Sequence, residues 1–234
     1  MSRLLGKVAV VTGGSSGIGL AIGAALAREG AAVVSLARRF PSPALAVRPI
    51  AGEVTQVALD VTSEDAVKAR FAEIAVKGGA LDVLVCSAGI GHFGPLHSAP
   101  AADLREMLDV HVYGTFLCAR EALRLMQPRR SGHIVAIGSH AAERAFTDCG
   151  GYTAAKAAQL GLMRVLAAEA RDYDIRATTV MPGATDTPIW DDRPGFDRSK
   201  MMKPDDVAGF VVAIIARPAI SVEEVVVTPP AGAL

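Results

Sequence analysis

Short β-branched apolar runs alternate with longer Ala/Leu-rich amphipathic segments along nearly the whole chain, and this alternation limits the fold more than any other feature. The runs predict strands at Val8–Val11, Ala32–Leu36, Gln56–Leu59, Val83–Cys86, His133–Ile137, Arg176–Val180 and Glu224–Val227. Between them the 3.6-residue pattern predicts helices at Gly17–Arg28, Ser63–Val76, Ala101–Gln127, Tyr152–Arg171 and Pro204–Ala216. Strands this apolar have no face to give to water, so the sheet must be parallel and covered by helices on both sides. The expectation is an α/β fold with a doubly wound parallel sheet of about seven strands. Ser63, followed by Glu64 and Asp65, supplies a cap and first-turn acids for its helix. Pro41, Pro43 and Pro49 make the crossover from Phe40 to Pro49 largely irregular.

Length and composition bound the rest. At 234 residues, half of them hydrophobic, the chain fits a single domain spanning 1–234. There are 24 basic and 24 acidic side chains, so no net charge draws the protein to nucleic acid or an anionic membrane. Cys86, Cys118 and Cys149 are odd in number and widely spaced, which argues against disulfides and a zinc site and for a reducing cytoplasm. The first apolar stretch is broken by Lys7 and runs into Gly13 and Gly14, so it reads as a strand and not as a signal peptide. The longest uncharged run near the other end, Val207 to Ala216, is about half of what a bilayer span needs. A soluble protein is expected. The Pro-, Asp- and Arg-rich stretch from Ala184 to Lys203 is the best candidate for a mobile loop beside a site.

Between the first strand and the first helix lies Thr12-Gly13-Gly14-Ser15-Ser16-Gly17-Ile18-Gly19. Glycines in that place let the backbone turn tightly and approach a pyrophosphate, which then sits at the N-terminus of the helix. The context of strand, glycine turn and helix opening a βαβ unit makes this a dinucleotide site on a Rossmann fold. The second strand ends Leu36-Ala37-Arg38-Arg39, with no carboxylate to accept from ribose hydroxyls and two guanidiniums suited to a phosphate. NADP(H) is therefore the preferred cofactor, with Arg38 as the primary phosphate ligand and Ser16 adding a hydroxyl. NAD(H) remains open, because a solvated arginine pair would look the same.

Gly-Tyr152-Thr-Ala-Ala-Lys156 places a phenol and an ammonium four residues apart, hence on one face of a helix, and Ser139 stands thirteen residues upstream. A phenol ordinarily titrates near 10. A cation held close, at the positive end of a helix, favours the phenolate and would bring Tyr152 into range for general acid/base work.

These pieces, taken in order, resemble the short-chain dehydrogenase/reductase family. The matching motifs are T-G-x-x-x-G-x-G, Asp60-Val61 after the third strand, Ala88-Gly89 after the fourth, Ser139, Tyr152-x-x-x-Lys156, and Pro182-Gly183 after the sixth. The resemblance implies an NAD(P)-dependent oxidoreductase interconverting a ketone or aldehyde and an alcohol. It implies that Tyr152 exchanges the proton with the substrate oxygen and that Lys156 lowers the tyrosine pKa and holds the nicotinamide ribose. Ser139 would donate a hydrogen bond to the substrate oxygen as charge develops there. Gly13, Ser15, Gly17, Ile18 and Gly19 would cradle the phosphates, Asp60 and Val61 the adenine, and Ser87, Ala88 and Gly89 the ribose. Pro182, Gly183, Thr185 and Thr187 would fix the nicotinamide.

The chain departs from the family pattern in two places. Cys86-Ser87 stands where the family usually has Asn-Asn, with Cys86 as core and Ser87 keeping some hydrogen bonding. His111 stands where the family commonly places a catalytic Asn supporting a water chain to the lysine. A neutral imidazole can donate and accept, so His111 could carry that relay; a helix-packing role is the alternative.

The resemblance places substrate contacts near His92, Phe93, His97, His140, Phe146, Cys149 and Trp190, mostly as shape-filling groups, with no metal among them. Arg144 could meet an anionic substrate. The ending Pro229-Pro230-Ala-Gly-Ala-Leu lacks the Gly-Gly-rich tail and longer substrate lobe of many relatives, which suggests an open pocket. The two helices Ala101–Gln127 and Tyr152–Arg171 carry small and apolar residues on more than one face, so a homodimer or homotetramer is expected. A second reading is a dinucleotide-binding redox sensor or scaffold with little turnover, favoured only by His111.

Overall fold

The computed structural model describes residues 2–40, 50–193 and 195–232. The crossover expected to be irregular lies, beyond Phe40, outside the described residues, as do Ala233 and Leu234. Seven strands form one sheet: β1 (Val8–Thr12), β2 (Ala32–Ala37), β3 (Val54–Ala58), β4 (Val83–Cys86), β5 (Gly132–Ile137), β6 (Ile175–Pro182) and β7 (Glu224–Val227). Every pairing is parallel, in the order β3-β2-β1-β4-β5-β6-β7. All seven predicted strands are present. β3 begins two residues earlier than the apolar pattern suggests, because Val54 pairs with Val33 despite its exposure. β6 runs on to Pro182, whose missing N–H costs nothing at a strand end.

Alternation along the strands divides the core. Val8 and Val10 point into a layer with Phe71, Ile74, Leu117 and Met163, under the helices α2 (Glu64–Gly78), α4 (Gly114–Met126) and α5 (Gly150–Ala170). Ala9 and Val11 point the other way, to Ile22 and Leu26 of α1 (Gly17–Arg28) and to Val207, Val211 and Ile215 of α6 (Pro204–Ile215). Each large apolar side chain fully buried this way contributes about 1.5–3 kcal/mol.

Two local expectations are corrected. Ser63 sits at the N-cap of α2, but its side chain makes no capping bond; its carbonyl accepts from Val67 N–H, while Glu64 and Asp65 do occupy the first turn. The single helix expected over Ala101–Gln127 is broken into α3 (Ala101–Leu108), a π-helical turn (Asp109–Tyr113) and α4. A π turn holds one more residue than an α turn within a continuous helix, and no residue type marks it, so the sequence pattern does not reveal it. It buries Val110 and His111 and leaves Tyr113 at the surface.

The strand order reverses between β1 and β4. There the crossovers leave the sheet to opposite faces, opening a crevice at the carboxyl ends of the strands.

Candidate active site

That crevice is a cleft of about 1070 Å³. Thr12, the last residue of β1, accepts through its hydroxyl from the N–H groups of Ser87 (3.1 Å) and Ala88 (3.2 Å). This ties the turn after β1 to the loop after β4. The turn needs glycine at Gly13, which has φ +69° and where a Cβ would lie 2.6 Å from the Ser87 carbonyl oxygen. Ser16 is the N-cap of α1 and makes no side-chain capping bond, so its hydroxyl and the first-turn N–H groups face the cleft together.

At the outer end, β2 finishes at Ala37 and the exposed Arg38 and Arg39 follow. Neither pairs with a carboxylate among the described residues. Asp60, after β3, accepts from the Thr62 backbone (2.9 Å) and hydroxyl (2.8 Å) through one oxygen only. A recess of about 540 Å³ continues beyond Arg38, Arg39 and Asp60 toward Arg70 and Glu73 of α2.

At the inner end, Ser139 follows β5 and accepts from the Ala141 N–H at 3.1 Å. Tyr152 lies in the first turn of α5, with its ring between Phe93 (centroids 5.3 Å apart) and His111 (5.6 Å, edge-on). A hydrogen bond joins its hydroxyl to Ser139. Lys156 is one turn further on and 4% exposed. Its ammonium donates to the Ile137 carbonyl (2.8 Å) and to Gln159 Oε1 (3.1 Å), and Gln159 in turn donates to Thr115 Oγ1 (2.9 Å). The ammonium lies 5.9 Å from the Tyr152 ring centroid.

The electrostatics differ from the expectation. Burial pushes the Tyr152 phenol up to about 12, and the Ser139 hydrogen bond offsets only part of this. Burial likewise brings the Lys156 ammonium down to about 7. In the protein alone, therefore, Lys156 does not acidify Tyr152: it is turned toward Ile137 and Gln159, and at neutral pH carries only part of its charge.

His111 is buried, and desolvation with the nearby Lys156 charge brings its imidazole down to about 3, so it is neutral. Nε2 lies 2.7 Å from the Ile90 carbonyl, which fixes it as the donor, and Nδ1 has no hydrogen-bond partner. The ring fills the space a side chain on Gly89 would need, since a Cβ there would come within 2.7 Å of Cε1.

The residues expected to act in catalysis and cofactor binding all line this one cleft: Gly13, Ser15, Ser16, Gly17, Ile18, Gly19, Arg38, Arg39, Asp60, Val61, Ser87, Ala88, Gly89, His111, Ser139, Tyr152, Lys156, Pro182, Gly183, Thr185 and Thr187. Among the expected substrate contacts, His92, Phe93, His140, Phe146, Cys149 and Trp190 line it too. His97 does not; it is exposed on the loop before α3. Arg144 does not either, and stands exposed over Phe146 at 5.8 Å. The segment 184–203 borders the cleft and is cross-tied, with Arg198 bound to Asp186 (2.6 Å) and Asp191 (2.7 Å) and Lys203 to Asp186 (3.1 Å). Sequence reasoning missed Gln159, whose signal was its i+3 spacing from Lys156, and Arg193 and Phe196, which carry no motif.

A family model described as short chain dehydrogenase matches residues 7–195. The chain belongs to the short-chain dehydrogenase/reductase family. It is 37% identical over 193 residues to a 3beta-hydroxysteroid dehydrogenase of Mediterraneibacter gnavus, covering 81% of this chain and 70% of that protein. It is 39% identical over 186 residues to a cis-4-hydroxycyclohexanecarboxylate dehydrogenase of Sinomonas cyclohexanicum, covering 78% of this chain and 75% of that one. A metagenomic short-chain oxidoreductase solved in complex with NADP superposes with a TM-score of 0.81 at 31% identity, covering 97% of this chain and 98% of that one. As a short-chain dehydrogenase/reductase, the protein is an oxidoreductase acting on alcohols and ketones with a nicotinamide dinucleotide. Among the described residues no helix is long and apolar enough to cross a membrane.

Proposed function

We propose that the protein is an NADPH-dependent carbonyl reductase in which Tyr152 delivers the proton to the substrate oxygen. The observation that carries this is the juxtaposition of Ser139, Tyr152 and Lys156 at the inner end of a cleft that the glycine turn also lines. When bound, the dinucleotide supplies the hydride. The chain's own residues do the rest. Ser15, Ser16 and the first-turn N–H groups of α1 hold the pyrophosphate. Arg38, free of any carboxylate partner among the described residues, takes the 2′-phosphate, with Arg39 beside it. Asp60 and Val61 flank the adenine; Ser87, Ala88 and Gly89 flank the ribose. Lys156 binds the nicotinamide ribose hydroxyls, and Pro182, Gly183, Thr185 and Thr187 orient the ring. The fit is supported by the unspent Ser16 hydroxyl at the N-cap of α1, which lines the cleft.

Burial keeps the resting Tyr152 phenol protonated at neutral pH, the form that donates to a carbonyl oxygen. His111, neutral and with Nε2–H spent on Ile90, keeps Nδ1 as its one acceptor and takes the place of the family's Asn. The aromatic substrate end fits a small to medium, fairly apolar carbonyl compound. A homo-oligomer in a reducing cytoplasm accords with the apolar surface of α4 and α5 and with three buried free thiols.

The test is a panel of ketones and aldehydes with NADPH and with NADH, followed by loss of reduced-nicotinamide absorbance. Turnover should favour NADPH, Tyr152→Phe should lower kcat at least a thousandfold, and alcohol oxidation should rise with pH as Tyr152 deprotonates. A lower KM for NADH would reverse the cofactor assignment. A Tyr152→Phe protein that keeps its rate would end the proton-donor assignment.

A further inference from the structure

The substrate end of the cleft holds a cation that nothing in the reduction so far uses. Arg193 projects from segment 184–203 with its guanidinium carbon 3.9 Å from the Phe93 ring centroid and 4.9 Å from those of Trp190 and Phe196. Trp190 and Phe196 pack on each other, with centroids 4.8 Å apart, so the rings form a continuous aromatic wall around it. Rings engage the faces of a guanidinium and leave its in-plane N–H donors free. One of those donors is directed at the Cys149 thiol. Among the described residues no carboxylate forms an ion pair with Arg193. Asp191, two residues before it, is committed to Arg198. Asp192 lines the cleft without pairing to Arg193, and Asp148, which acts on the Cys149 thiol, forms no ion pair with it either.

Position gives this cation a use. Phe93 packs against both Arg193 and Tyr152, and the Arg193 charge is close enough to act on the Tyr152 phenol, so the guanidinium stands near the proton donor. A ligand held at the edge of Arg193 would lie across Phe93 with its body toward Tyr152 and Ser139. Guanidinium forks match carboxylates by two parallel hydrogen bonds, and the surrounding apolar rings strengthen the charge pairing by excluding water. A salt-bridged surface arginine needs no such setting: Arg198, in the same segment, is spent on two aspartates. Arg144, the other candidate, does not face the cleft at all.

Resting on the reading of this cleft as a carbonyl reductase, we propose that Arg193 is the anion-recognising residue of the substrate end. The preferred substrates then carry a carboxylate on a planar or cyclic apolar body, with the reacting carbonyl at the other end of that body.

Trp190 is the chain's single tryptophan and lies in the wall, so its emission reports occupancy without any turnover. Protein saturated with NADP+ is titrated with benzoate and with benzamide. Benzoate should change the emission saturably and bind at least tenfold more tightly than benzamide. In Arg193→Gln that discrimination should vanish, in Arg193→Lys it should be partly retained, and the Kd for NADP+ should stay within twofold in both, which shows that each variant is folded. In turnover, Arg193→Gln should raise the KM for 4-acetylbenzoate at least tenfold relative to that for its methyl ester. Equal binding of benzoate and benzamide by the parent, or discrimination that survives in Arg193→Gln, would overturn the anion site while leaving carbonyl reduction standing. Intact benzoate discrimination with no turnover of any carbonyl would instead overturn the reductase reading and leave the anion site in place.

Discussion

Lys156 shows how function is drawn from an unfavourable burial. An ammonium 4% exposed, with no carboxylate beside it, prefers to be neutral, and its pKa falls from 10.5 to about 7. In the unfolded chain it titrates at its ordinary value, so between about pH 7 and 10.5 the unfolded state binds more protons than the folded one. Stability contributed by this group therefore rises with pH across that window. Below pH 7 both states are charged and the full cost of burial applies; above 10.5 both are neutral and it is gone. Lys156→Met removes the cost, but orphans Gln159 Oε1 and the Ile137 carbonyl. We expect this variant to be inactive yet more stable than the parent by about 2 kcal/mol at pH 6, an advantage that reverses to a deficit of about 2 kcal/mol by pH 10, because the burial cost it removes is then nearly gone while the orphaned acceptors remain. Chemical denaturation at the two pH values measures it. A variant less stable than the parent at pH 6 would mean that the hydrogen bonds of Lys156 outweigh its desolvation.

At the scale of elements, strands and glycine turn were legible because their signals are local: a β-branched run, a forced backbone conformation at Gly13, a helix that starts where the phosphate site must be. The π turn at Asp109–Tyr113 was not, since an inserted residue shifts which side chains face inward without changing composition. Nor was the partner of Lys156 legible beyond its spacing, because Thr115 reaches Gln159 only through packing of α4 on α5. The turn carries His111 onto Gly89, and this contact can be tested. Gly89→Ala would press a methyl against the imidazole at 2.7 Å and should cost about 1–3 kcal/mol by overpacking. With His111→Asn in the background the smaller side chain relieves the clash, and the cost of Gly89→Ala should fall below about 1 kcal/mol, a coupling that a double-mutant cycle isolates. Additive costs would show that His111 and Gly89 do not share the space described.

The whole molecule divides its surfaces by strand polarity. The carboxyl ends of the strands carry every residue of the proposed reaction, and the helical faces are left to packing. On one of those faces the cover is incomplete. α5 exposes Ala154, Ala157, Ala158, Gly161 and Val165, small residues at helical spacing, and the neighbouring α3–α4 stretch exposes Leu104, Tyr113 and Phe116. Val165 is 56% exposed, and a Cβ on Gly161 would meet nothing within 4 Å, so a second helix could approach this face closely. A patch of this kind on a soluble monomer would be a liability. Multi-angle light scattering should therefore give two or four times the chain mass of 24.2 kDa. Val165→Arg, which places a charge at the centre of the patch without touching the cleft, should shift the population toward the single chain and lower Tm by several degrees, because the apolar face then returns to water. A parent protein that elutes at one chain mass at micromolar concentration would remove the interface from this face, and the exposed Tyr113 and Phe116 would need another explanation.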